Sequence, residues 1–362
     1  MQTANDGRPQ AMIAMSGGVD SSVAAYLMQQ AGYDCMGVTM KLYENEDAGV
    51  PRGHTCCALD DVEDARRVAY ALGMPYYVFN YKDAFREQVM ARFAAAYQRG
   101  ATPNPCLDCN RYLKFGLLET RARALGCEVL ATGHYARIVK DEASGRYVLK
   151  KALDGSKDQS YVLYSLTQAQ LSRVLLPMGG MTKEAAREKA EALGLTVAHK
   201  HDSQDICFVP DGDYMRFLTE HGVRPQPGHF IGLDGRDFGP HCGQEAYTLG
   251  QRRGLDIPYG TRIYVVAKRG SDVVIGPNEA LFSRRVQVRD LNWIPFDVPP
   301  EGLRAQAKLR YTPKTAECTV HLTENGAELC FDEPQRAVTP GQAAVLYDGD
   351  TVLGGGTICG AD

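Results

Sequence analysis

The chain has 362 residues and no apolar run near the roughly 18–20 residues needed to cross a bilayer. Its first ten residues, MQTANDGRPQ, lack the apolar stretch of a secretory signal. Both absences lead us to expect a cytoplasmic protein without a membrane partner. A basic excess is also missing: the formal net charge is -4. That argues against a general nucleic-acid coat but leaves room for a local basic face. From Arg284 to His321 seven Lys/Arg stand against four Asp/Glu, so one such face is legible. Internal repeats and low-complexity segments are absent. The eleven cysteines are odd in number and dispersed, which excludes a disulfide framework and predicts that most are small buried hydrophobes.

What is present is an ordinary globular composition, 44% hydrophobic and 23% charged, long enough for two or three domains. AMIAM (11–15) runs into SGGVDSS, then into a stretch of helical composition ending at Gly32. CMGVTM (35–40) and PYYVFNY (75–81) read as strands around a helix over 60–72. Further helices are expected at 83–98 and 112–126, with TPNPCLDCN as a loop between them and a strand at EVLATGHYARI. Alternating strands and helices predict an α/β fold, a doubly wound parallel sheet of about five strands. From about residue 225 Gly and Pro multiply and short alternating strands take over, which predicts a small β-rich central module and a terminal β-barrel. The expected boundaries are 1–215, 216–283 and 284–362.

Ser16–Ser21, SGGVDS, sits at the first strand–helix turn. Gly17 and Gly18 let the backbone approach a polyanion, and the helix N-terminus turns its N–H groups toward it. Asp20 would repel phosphate unless a cation bridges them, which implies Mg²⁺. The GK[ST] ending of a Walker loop and the GxGxxG of a dinucleotide fingerprint are both absent. Here the sequence resembles the PP-loop, or N-type ATP pyrophosphatase, enzymes, which implies ATP cleaved between its α and β phosphates and AMP attached to a substrate oxygen.

Cys106 and Cys109 form a CxxC, and Cys207 follows in HDSQDICF. Two polar cysteine segments on a nucleotide-binding domain suggest sulfur chemistry: one thiolate carries a persulfide and a second releases its sulfur. Structural zinc on Cys106, Cys109, Cys207 and His201 is an alternative. Cys56 and Cys57 beside His54 read as structural.

SGGVDSS, NPCLDCN, ATGHYA, KDQSYVL, SQDICF, LGQRRGL and RY occur in that order, and with them the chain resembles the tRNA-specific 2-thiouridylase family nearly end to end. The resemblance implies an ATP-dependent tRNA sulfurtransferase acting on the wobble uridine of the tRNAs for Glu, Gln and Lys. It assigns Cys109 as nucleophile and Cys207 as persulfide carrier, served by a sulfur-donor protein. It assigns Ala14, Met15, Ser16, Gly17, Gly18, Val19, Asp20, Ser21, Met40 and Gly133 to ATP. Asn104, Pro105 and Cys106 fall to the target base. His134, Lys157, Asp158, Gln159, Arg310, Tyr311 and Gln342 fall to tRNA. Cys106 departs from the family's usual Asp. The resulting trio, Cys106, Cys109 and Cys207, has the ligand types of a [4Fe–4S] cluster with one open iron, so cluster-bound sulfide competes with the persulfide relay. Another PP-loop ligase, or a non-catalytic sulfur carrier, remains a rival at this stage.

Overall fold

The computed structural model describes residues 7–44, 59–200, 206–311 and 314–362. Two compact units are formed: Met1–Val89 with Pro105–Gly212 and Asp350–Leu353, and Met90–Asn104 with Asp213–Gly349 and Gly354–Asp362.

In the first unit β1 (Gln10–Ala14) is fully buried at Ala11, Met12 and Ile13. A strand this apolar belongs in a sheet covered on both faces. Helix α1 (Val19–Gln30) follows and stops before Gly32, whose φ of +87° suits a residue without Cβ. Next come β2 (Asp34–Lys41), helix α2 (Leu59–Ala71) and β3 (Tyr76–Asn80). Asp60 and Asp61 open α2, where carboxylates meet the positive helix end. β4 (Val129–Thr132) returns on the other side of β1. A hairpin of β5 (Ala136–Lys140) and β6 (Tyr147–Lys151) precedes β7 (Val174–Leu175). The sheet order is β3-β2-β1-β4-β7, and every neighbour is parallel. This is the doubly wound layer expected from the sequence. Its order reverses between β1 and β4, so the crevice beyond their carboxyl ends is where such sheets hold ligands.

In the second unit β8 (Gly228–Gly232), β9 (Asp237–His241), β10 (Tyr264–Arg269) and β11 (Asp272–Gly276) make a four-stranded sheet over Phe230, Val265, Val273 and Ile275. The barrel follows: β12 (Phe282–Trp293), β13 (Leu303–Lys308), β14 (Ala316–Thr323), β15 (Gly326–Arg336), β16 (Ala343–Asp348) and β17 (Thr351–Ala361). Pairing of β12 with β17 closes it. Alternation is plain on β15, where Ala327, Leu329 and Phe331 point inward.

Two expectations need correction. TPNPCLDCN is not all loop: a helix begins at Pro105 (Pro105–Asp108), continues as a π-helical segment (Cys109–Leu118) and ends as Glu119–Ala124. Proline at a first helical position loses no hydrogen bond and supplies the helical φ, so Pro105 starts the helix rather than blocking it. The cysteines are also less buried than composition suggests. Of the nine described, only Cys35, Cys127 and Cys318 are buried. Cys330 lies on the outward side of β15, and Cys242 and Cys359 are exposed. Cys56, Cys57, His54 and His201 lie outside the described residues.

Candidate active site

The residues expected to hold the nucleotide gather at the carboxyl ends of β1, β2 and β4. Gly17 takes φ +73°, and a Cβ there would stand 2.2 Å from the Asp61 carbonyl oxygen. No other residue fits. Gly133, just after β4, packs against the start of α1: a Cβ would stand 2.7 Å from the Ser21 nitrogen. The loop is also wired internally. The Ser16 N–H donates to Ser21 Oγ at 3.2 Å, and the Ser21 hydroxyl donates to the Gly18 carbonyl at 3.2 Å. The Ser22 hydroxyl shares that carbonyl at 2.8 Å. The Thr39 hydroxyl, next to Met40, donates to the Met15 carbonyl at 2.7 Å. Ala14 and Val19 bound the turn as the last strand residue and first helical residue, and Ser16 is exposed.

Asp20 faces this loop but is not left to repel an anion. Lys183 Nζ lies 2.8 and 2.9 Å from its two carboxylate oxygens, and the Tyr135 hydroxyl donates to Oδ1 at 2.7 Å. The Lys183 side chain is 7% exposed and Asp20's is 31% exposed. A single carboxylate plus substrate phosphates is the usual protein share of a Mg²⁺ site, so Asp20 fits that ion. A second cation, Lys200, donates to the Gly17 carbonyl at 3.1 Å and to Asp64 at 2.8 Å, and also pairs with Asp61. Lys183, Tyr135, Thr39 and Lys200 were all missed by sequence reasoning. Their partners lie 24 to 183 positions away, and no local motif marks them.

The thiols divide clearly. Cys106 is exposed, while Cys109 and Cys207 are half-buried. Cys106 and Cys109, three apart at the start of the 105–124 helix, share a face. The Cys207 carbonyl accepts from the Tyr43 hydroxyl at 2.7 Å, and Tyr43 packs on Phe85, which packs on Phe208. Elsewhere burial pushes the Cys35 thiol up to about 12, with Asp34 adding to it, and Cys318 also to about 12. Those thiols are inert. Among the described residues no three His, Cys, Asp or Glu side chains gather to hold a metal ion.

The residues expected to meet tRNA are spread over both units. Lys157 is half-exposed on the turn 154–159. Asp158 is buried and accepts from the Ala152 and Ser160 N–H groups at 3.1 and 3.2 Å, so its carboxylate braces the turn. Gln159 Oε1 accepts from the Tyr135 N–H at 3.0 Å, and the Gln159 N–H donates to the Tyr135 carbonyl at 2.8 Å. His134 is buried with Nδ1 2.7 Å from Thr132 Oγ1. Burial, helped by Lys114, pushes its pKa well below the ordinary histidine value, so the ring is neutral. In the second unit Arg310 is exposed, its guanidinium donating to the Arg336 carbonyl at 2.9 Å, and Tyr311 is 51% exposed. The Gln342 amide donates to the Thr102 carbonyl at 2.8 Å and so steadies the segment leading to Asn104. Pro105 itself is buried.

Known proteins match this chain along most of its length. The family model described as tRNA methyl transferase HUP domain matches residues 9–211. That described as tRNA methyl transferase PRC-barrel domain matches 215–276, and that described as aminomethyltransferase beta-barrel domain matches 283–358. The tRNA-specific 2-thiouridylase MnmA of Clostridioides difficile is 48% identical over 351 residues, covering 96% of this chain and 97% of that protein. Its namesake from Heliobacterium modesticaldum is 49% identical over 353 residues, covering 96% and 91%. Over that length and identity, with the SGGVDS turn in place, the chain belongs to the tRNA-specific 2-thiouridylase family.

Proposed function

We propose that this protein is an ATP-dependent tRNA-uridine 2-sulfurtransferase of the cytoplasm. It has a catalytic part over 1–215, a central module over 216–283 and a tRNA-binding barrel over 284–362. The observation that carries the reading is the glycine turn of residues 14–21 at the sheet's reversal point, with its one carboxylate neutralised by Lys183.

ATP lies with its phosphates on the N–H groups of residues 16–21, with Met40 and Gly133 completing the nucleotide contacts. Asp20 would hold Mg²⁺, which would supply charge neutralisation to the polyphosphate. tRNA contacts Lys157 in the first unit and Arg310 and Tyr311 in the barrel. Asp158, Gln159, His134 and Gln342 support those surfaces from behind, a role that their intramolecular hydrogen bonds favour. The target wobble uridine leaves its stack and meets Asn104, Pro105 and Cys106. Its C2 oxygen attacks the α-phosphorus and pyrophosphate leaves, so C2 now carries AMP as leaving group.

A donor protein loads Cys207 as a persulfide. The terminal sulfur attacks C2 and AMP departs. The Cys109 thiolate then attacks Cys207 Sγ, closing a Cys109–Cys207 disulfide and freeing the 2-thiouridine sulfur. A cellular thiol reduces the disulfide afterwards. Exposed Cys106 beside Cys109 is an extra thiol that this relay does not need. To test the reading, the enzyme is incubated with tRNA for glutamate, ATP and a persulfide donor, and the tRNA is digested to nucleosides. 2-Thiouridine is the expected product. Cys207→Ser should give none while still releasing pyrophosphate, and full thiolation by that variant would remove the assignment.

A further inference from the structure

The Asp20 carboxylate hangs between two side chains, each rooted in the turn 154–159. Tyr135 donates its hydroxyl to Asp20 at 2.7 Å, while its own N–H and carbonyl are held by Gln159 at 3.0 and 2.8 Å. Lys183 holds Asp20 through Nζ, while its backbone N–H donates to Asp154 Oδ2 at 3.1 Å. Asp154 in turn accepts from the Ser156 N–H and hydroxyl at 3.0 and 2.6 Å. Hydrogen bonding to Ser156, then to the Lys183 backbone, keeps its carboxyl below the ordinary aspartate range. Tyr135 is 2% exposed and belongs to the hydrophobic core of the first unit, so its ring cannot swing away to absorb a movement of the turn.

We propose that Tyr135 is a positioning residue that couples occupancy of the turn 154–159 by RNA to the geometry of the ATP phosphate loop. RNA seated on Lys157 fixes the turn. The fixed turn fixes the Tyr135 backbone through Gln159, and the phenol fixes Asp20, where the metal–triphosphate must sit. Without RNA the turn is held by its own hydrogen bonds alone, and the position of Asp20 follows from theirs. The phosphate loop thus reaches its binding geometry when the substrate is present, and ATP is not spent without a uridine to receive AMP. This inference rests on the proposed placement of ATP at residues 14–21 and of tRNA at the turn.

The test measures binding of α,β-methylene-ATP with Mg²⁺, which cannot release pyrophosphate, with and without unmodified tRNA for glutamate. In the wild type tRNA should tighten the analogue about fivefold or more, the lower end of ordinary site-to-site coupling. Tyr135→Phe removes only the hydroxyl. It should bring the ratio to near one, while affinity for each ligand alone stays within about twofold because Lys183 and Gln159 keep their contacts. Asp154→Ala, which cuts the second root, should lower the ratio as well, so the proposal stands on two variants. Unchanged melting temperatures separate the effect from misfolding. Full coupling in Tyr135→Phe, or none in the wild type, overturns the inference while the functional reading stands. A wild type that binds neither ligand overturns that reading, and this inference with it.

Discussion

Asp20 is a negative charge in the loop proposed to hold a polyanion, and Lys183 pairs with it. The pair is worth keeping only because both partners are present: a partly buried ion pair broken on one side leaves a charge without compensation. Lys183→Met should therefore raise the KM for ATP by about tenfold or more and destabilise the fold by about 1–3 kcal/mol, the lower figure because a third of Asp20 is in solvent. Equilibrium tRNA binding should not change. Steady-state kinetics over ATP concentration checks the first claim and urea unfolding the second. His134 makes a different prediction. Its ring is neutral in the fold but ionises in the unfolded chain below about pH 6.5. A depressed histidine pKa means stability is intact above that pH and falls as the pH drops below it. His134→Gln should flatten that fall, as measured by urea unfolding at pH 7 and pH 5.

At the scale of elements, glycine sets the geometry. Gly17→Ala would force a Cβ into the Asp61 carbonyl at a left-handed φ, and Gly133→Ala would press on the first turn of α1. Both should cut ATP-analogue affinity at least tenfold in calorimetric titration. In the central sheet Lys268 on β10 is only half-buried as a residue, but its Nζ is sealed from solvent without a hydrogen-bond partner among the described residues. Burial lowers its pKa from the ordinary 10.5 to about 8. The charged form is thus disfavoured in the fold. The cost is complete below pH 8, shrinks as pH rises through 8 to 10.5, and is gone above. Lys268→Met should stabilise the protein by about 1–3 kcal/mol at pH 7 and hardly at all at pH 10.5. Urea midpoints at the two pH values decide it.

Elements also show what the sequence could and could not convey. The tight turn between β1 and α1 was legible because glycines, serines and an acid lie contiguous at a strand–helix junction. The barrel was legible because alternation has a period of two. The helix from Pro105 was misread because proline and asparagine are common to loops and helix starts, and local chemistry does not separate them. Lys183 and Tyr135 were invisible for another reason. Their meaning lies in Asp20, 163 and 115 positions away, and only the sheet's winding brings them together.

For the whole molecule, the net charge of -4 means that RNA affinity must come from local basic features. Arg310→Ala should weaken tRNA binding and reduce the slope of log affinity against log salt by about one, with ATP binding unchanged. No helix among the described residues is long and apolar enough to cross a membrane. The central claim is that an AMP group passes from the glycine turn to a uridine beside reactive thiols. Its most direct measurement is pyrophosphate release by the Cys207→Ser variant given ATP, Mg²⁺ and unmodified tRNA. The account predicts release that requires tRNA and leaves AMP on the RNA without 2-thiouridine. Absence of pyrophosphate with tRNA bound would contradict it.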